Sequence, residues 1–361
     1  MKRSIITRLL SSDLPRNRVL AVLLVLVVVA LAFAPFLFPG AKALNVAAKI
    51  LIFIVLVASY DLLLGYTGIV SFAHTMFFGI GAYGVAIAST RLGPGWGSVV
   101  IGIVCALAAS LALSLVIGLF SLRVRAIFYA MITLAVASAF QTLASQLSDF
   151  TGGEDGLSFK TPDLLSPGFS LADEPFLGVN LDGRLITYYL LFVAAFVLFL
   201  VMLRIVNSPF GRVLQAIREN AFRAEALGYR TVIYRTLSNV LASGFATLAG
   251  VMLALWLRYN GPDTSLSFEI MLDILLIVVI GGMGTLYGAV LGGTLFILAQ
   301  SYLQELMGAV SNASAGLPLL PALFSPDRWL LWLGVLFVLS VYHFPTGIVG
   351  RLRDMAAARR R

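Results

Sequence analysis

The apolar positions of this chain gather into ten runs, at about 19–38, 43–63, 68–89, 98–120, 126–147, 186–206, 236–257, 269–281, 286–304 and 328–345. Most approach the ~20 residues with which a helix crosses ~30 Å of hydrocarbon. The pattern predicts an all-α fold, a polytopic helical membrane protein with about ten transmembrane helices. Two runs differ from the rest. The run at 269–281 is short and ends in glycines, so it is expected to continue into the next turn. The run at 68–89 is interrupted by glycines and is compatible with a partly re-entrant path.

One segment between two apolar runs breaks the pattern. GRVLQAIRENAFRAEALGYR, from Gly211 to Arg230, holds six charged residues in a chain that is only 12% charged. Ser208 and Pro209 ahead of it are helix-opening signals. Val213, Leu214, Ile217, Ala221, Ala224 and Leu227 recur at spacings of three and four, which predicts one apolar stripe. Glu219 precedes Arg223 by four, the favourable order for a surface pair, and Gly228 offers a helix stop. The segment reads as a short amphipathic helix. It could lie on lipid headgroups or dock a partner, and periodicity alone favours neither.

Composition narrows the class. The 361 residues are 60% hydrophobic, well above a soluble globular domain. A soluble enzyme would need many helices that are apolar all round. The single cysteine, Cys105, permits no intrachain disulfide and reads as a packing thiol. With only His74 and His343 as histidines, no metal centre is expected. The net charge of +8 would suit nucleic acid, but its distribution points elsewhere. With ten spans and the N-terminus inside, the segments 1–18, 121–126, 204–235 and 346–361 lie inside and carry 18 of the 25 basic residues. That bias is the one cytoplasmic loops show. The acids Asp149, Glu154, Asp155, Asp163, Asp173, Glu174 and Asp182 all fall in the outer stretch 148–186. The first run exceeds a signal-peptide core in length and is expected to be a retained helix.

Three ionisable residues lie within or at the edge of apolar runs: Asp61, His74 and Asp273. Such groups are costly in hydrocarbon and face a cavity or a partner. GYTGIVSFAHTMFFGIGAYG carries five glycines; a helix break near Gly65–Gly68 would place Ser71 and His74 just beyond it, while Gly79, Gly81 and Gly84 suit close helix packing. His74 is a candidate for a polar path through the bundle or its gate, and equally for a structural histidine bonded to a carbonyl. Asp61 and Ser71 are the other path candidates.

SPFGRVLQAIRENAFRAEALG resembles the cytoplasmic loop of ABC-importer permeases of the branched-chain amino acid type, the LivH/LivM family. Ala224, Glu225, Ala226 and Gly228 fall where that family carries its coupling motif. Three further blocks agree, in the family's order: DLLLGYTGIVSFAHTMFFGIGAY at Asp61–Tyr83, FTGGEDGL at Phe150–Leu157, and LLIVVIGGMGTLYGAVLGG at Leu275–Gly293. The chain departs from the family in having Ala73 before the histidine and Asp61 in place of an uncharged polar residue.

The resemblance implies an ABC-importer permease bundle, one transmembrane domain over 1–361. It has a cytoplasmic N-terminal tail (1–18), a periplasmic loop (148–186), a cytoplasmic coupling loop (207–235) and a basic cytoplasmic tail (346–361). Arg218, Glu219, Ala224, Glu225 and Gly228 would couple to an ATPase, and Gly152, Gly153 and Gly156 would shape the periplasmic loop. Expected partners are a second, LivH-like permease, two cytoplasmic ATPase subunits and a periplasmic substrate-binding protein, in a bacterial inner membrane. No cofactor is expected in this chain; ATP and Mg would be bound by partner subunits. A P-loop requires a lysine after glycine, and Lys2, Lys42, Lys49 and Lys160 all lack one. Urea or short-chain amides are an alternative substrate within the class. An ion-coupled secondary transporter is the alternative from another class, and would need a carboxylate or histidine relay across the bilayer.

Overall fold

The computed structural model describes residues 18–38, 40–121, 126–170, 181–313, 324–344 and 346–358. Of the tail expected at 1–18, residues 1–17 lie outside the described residues, as do Arg123, Arg125, Asp173, Glu174 and 359–361.

Each predicted apolar run lies largely on a helix, the run at 68–89 from His74 onward. The helices are α1 (Arg18–Leu37), α2 (Ala41–Thr67), α3 (His74–Leu92), α4 (Trp96–Ser121) and α5 (Ala126–Gln146). After the long connection come α6 (Gly183–Val206), the paired short helices α7 (Pro209–Glu219) and α8 (Ala221–Ala226), and α9 (Thr231–Leu257). The last are α10 (Phe268–Gly281), α11 (Leu286–Ala313), α12 (Trp329–His343) and α13 (Gly347–Ala358). Eight stretches of the described residues are long and apolar enough to cross a membrane; α1 contributes only the shorter apolar stretch Arg18–Ala32. Pro35 within α1 removes an amide donor where that stretch has just ended. The 19-residue α3 is diluted by His74, Thr75, Ser89 and three glycines. The short run at 269–281 does not continue: α10 closes at Gly282, and α11 begins at Leu286.

At the centre stands α2. From Val46 to Thr67 only Lys49 and Leu64 escape full burial. A helix that is apolar all round belongs in the interior, and α1, α6, α9, α10 and α11 surround it. Beside this core, α3, α4 and α9 cross at backbone contact. A Cβ at Gly81 would overlap the Thr247 carbonyl, and one at Gly250 would overlap the Phe78 carbonyl. Gly84 meets Gly102 and Ala106 of α4 in the same way. Small residues allow this approach where no hydrophobic effect drives helices together.

Cys105 corrects the expectation of a packed thiol: it is exposed on α4. Lipid-facing and core-facing surfaces are equally apolar, so hydropathy does not separate them. The same holds for α5 and α12, most of whose surface is uncovered.

Added methyl groups should test the crossings. Gly81→Ala and Gly250→Ala are expected to destabilise the fold by about 1–3 kcal/mol each through overpacking, read as a lower yield of monodisperse protein and a lower Tm in detergent. Gly97→Ala, with open space around it, should match wild type.

Candidate functional site

The amphipathic segment folds as two helices. Ser208 caps α7 by accepting from the Gly211 amide at 3.4 Å, with Pro209 in the first turn. Gly211, Leu214 and Ile217 are buried, so the stripe of α7 seats on the bundle, against α2, α6 and α9. At Asn220 the chain becomes extended (φ −158°, ψ 96°), and its Oδ1 accepts from Arg223 N at 2.9 Å to begin α8. A cap residue thus interrupts the single helix expected here, because its side chain offers the next amides a partner that the helix does not. Glu219 and Arg223 therefore sit on separate helices. The stripe is divided: Ala224 is buried, but Leu227 is 73% exposed. Phe222, off the predicted stripe, is 82% exposed. Gly228, at φ 91°, closes α8 with Gly228 N donating to Glu225 O at 2.9 Å. Glu225 is exposed and accepts from the Thr231 hydroxyl.

Above α7 lies a seam between two glycine turns. Gly68, at φ 72°, ends α2 and returns its amide to Leu63 and Leu64 carbonyls. The Gly65 carbonyl, one of the last four of α2, is left without an intrahelical partner; Arg218 Nη1 donates to it. One turn back, the buried Asp61 accepts from Gly284 N through Oδ1 at 2.8 Å. Gly284, at φ 79°, belongs to the turn between α10 and α11. A Cβ on Gly65 would collide with both Asp61 and Gly284 N, so that position is confined to glycine. From the other side Gly347, which opens α13, presses on Gly282.

The break after Gly68 leads through Ser71 to His74, and two of its amides find side-chain partners. Phe72 N donates to Thr133 Oγ1 of α5 at 3.0 Å, and Ala73 N to Ser71 Oγ at 3.4 Å. His74 is fully enclosed. Its Nε2 lies 2.8 Å from Ser59 Oγ, and Ser59 spends its own hydrogen on Leu56 O at 2.7 Å. The ring therefore presents Nε2–H to Ser59. Tyr60 meets it edge-on at 5.1 Å. Ser71 and His74 are each only 2% exposed. Asp273 joins a relay that sequence reading did not contain: Lys49 donates to Gln300 Oε1 at 2.8 Å, and Gln300 donates to Asp273 Oδ2 at 3.2 Å. It ties α2, α11 and α10 in the half of the bundle remote from α7. The path candidates thus divide: Asp61 joins the seam, Ser71 and His74 line the break above it, and Asp273 stands apart from both.

At the end of the bundle opposite α7, Gly152, Gly153 and Gly156 all take positive φ (78°, 64° and 68°). Side chains at Gly152 and Gly156 would strike the Gly156 and Asn260 carbonyls. These glycines turn the chain into β1 (Leu157–Ser158), which pairs antiparallel with β2 (Tyr259–Asn260) just after α9. Burial and the neighbouring Arg184 lower the Arg258 guanidinium, while Asp182 opposes them.

Eight helical stretches among the described residues that are long and apolar enough to cross a membrane, with glycine turns ending α2 and α10 and an amphipathic hairpin beside them, define a multi-pass membrane protein. The family model for the permease component of branched-chain amino acid transport systems matches residues 42–341, and the chain belongs to that family. It is 27% identical to the LivM permease of the high-affinity branched-chain amino acid system of Salmonella typhimurium, covering 84% of this chain and 73% of that protein. The corresponding Escherichia coli protein is 26% identical over the same shares. BraD of Pseudomonas aeruginosa is 28% identical over 74% of this chain and 87% of its own. No solved structure matches.

The histidine bond predicts a stability change. His74→Ala should cost about 1–3 kcal/mol, because Ser59 loses a buried partner, and Ser59→Ala combined with it should add less than the sum of the two alone. Tm values of the four forms in detergent check the coupling.

Proposed function

We propose that this chain is the membrane-spanning subunit of an ATP-driven importer of branched-chain amino acids in a bacterial inner membrane, with both termini cytoplasmic. The observation that carries the reading is the α7–α8 hairpin. Its root is seated on the bundle, while Phe222 and Leu227 stand in the open beside Arg223, Glu225 and Arg230. An apolar tip on a charged connection suits a groove in a soluble partner, where exposed aromatic anchors dominate docking energy. The relatives' named substrates support branched-chain amino acids here.

On this reading two cytoplasmic ATPase subunits bind ATP and Mg, and the chain has no ATPase site or cofactor of its own. A second, LivH-like permease completes the membrane part, and a periplasmic binding protein delivers substrate. The loop shaped by Gly152, Gly153 and Gly156 is the docking end for that protein. ATPase closure moves the hairpins, and the spans rock by alternating access. In the hairpin, Glu225 and Glu219 supply charge at the contact, Ala224 anchors α8 to the bundle, and Gly228 sets its end.

Co-purification tests the docking surface. Phe222→Ala and Leu227→Ala should each cost about 2 kcal/mol of ATPase binding, and Glu225→Lys several kcal/mol where its charge is desolvated. Full ATPase retention in all three would return the hairpin to the lipid surface. Uptake by the assembled complex should require ATP; uptake driven by a proton gradient alone would sink the importer reading.

A further inference from the structure

The seam above α7 gives Arg218 a role apart from docking. Arg218 occupies the last turn of α7, the helix whose Gly211, Leu214 and Ile217 are buried in the bundle. Its guanidinium bonds the orphan Gly65 carbonyl. The same guanidinium stands where a Cβ on Gly284 would lie, 2.8 Å from Nη1. Its methylene stem lies along Gly68, where an added Cβ would come within 3.3 Å of Arg218 Cγ. Asp61 completes the knot by holding Gly284 N. One side chain from the hairpin thus touches the end of α2 and the α10–α11 turn together. Those two turns have no covalent link shorter than the whole middle of the chain.

We propose that Arg218 is the positioning residue that fastens the two glycine turns to the hairpin, so that hairpin displacement moves α2 and the α10–α11 pair as one unit. The inference rests on the importer reading. Two properties favour arginine for the task. It remains charged in every state of the cycle and offers several donors in a rigid plane. Gly65 is buried while Arg218 stands at an exposed position, so the side chain reaches the carbonyl from the open edge of the seam. The glycines at 65, 68 and 284 are the space into which the side chain fits; larger residues there would occupy the seat of Arg218 or Asp61.

The test uses the complete complex with its binding protein in proteoliposomes, measuring substrate moved per ATP hydrolysed. Arg218→Ala is expected to lower that ratio about tenfold, the effect of losing a charged hydrogen bond, while co-purified ATPase stays within about twofold. Arg218→Lys, with one donor within reach, should recover part of the ratio. Asp61→Asn, which keeps an oxygen for Gly284 N, should be milder than Asp61→Ala. Hydrogen exchange supplies a second readout that does not depend on transport. The 282–286 segment should exchange about tenfold faster in Arg218→Ala, with α9 unchanged. An unchanged ratio, or unchanged exchange at 282–286, overturns the proposal. Loss of ATPase from the Arg218→Ala complex also overturns it, by returning Arg218 to the docking surface. Those results are separate from failure of the importer reading, which shows in wild type as uptake without ATP.

Discussion

A helix end leaves carbonyls and amides without intrahelical partners, and each one that packing shields from water costs free energy unless a partner reaches it. Much of this molecule is arranged around that constraint. Where α2 stops, Gly68 takes a left-handed conformation and folds its amide back on the helix. Arg218 answers the carbonyl that remains. Where α10 stops, Asp61 answers an amide of the following turn. The irregular stretch between α2 and α3 borrows Thr133 from α5. Together these donors and acceptors tie the turns that end α2 and α10 to their neighbours.

Close approach is the second condition, and it follows from the first. A side chain can reach a buried backbone group only if nothing occupies the space between them, which is why Gly65 and Gly284 are bare at the seam. The same economy of volume lets α3, α4 and α9 touch at backbone level through Gly81, Gly84, Gly102 and Gly250. Glycine serves two purposes here: at Gly68 and Gly284 it supplies a positive φ, and at Gly81 and Gly250 only the absence of a side chain.

The helices were legible because hydropathy and run length answer to hydrocarbon thickness, a constraint that acts on each segment alone. The family was legible through four blocks of residues in order. What periodicity concealed was cap chemistry. Asn220 sits within an unbroken spacing of apolar residues, yet its side chain restarts the helix and turns Phe222 and Leu227 outward. An asparagine followed three residues later by an amide in need of a partner was the available signal. Cys105 was misread because a lipid-facing surface is as apolar as a core. Arg218 looked like a surface charge, and neither its reach to Gly65 nor the link of Lys49 through Gln300 to Asp273 can be seen without the tertiary arrangement, since the partners are 153, 251 and 27 residues apart.

The division at Asn220 also fixes the mechanics of the hairpin. Of its two pieces, α7 sinks Gly211, Leu214 and Ile217 into the bundle, whereas the six-residue α8 sinks Ala224 alone. Stiffness therefore falls from root to tip. A push delivered at Phe222 first takes up the slack of a compliant end, then meets a lever arm rooted in the interior. Such a joint tolerates small misfits between two proteins at the surface while passing larger displacements inward, and it does so with a single extended residue as its elbow.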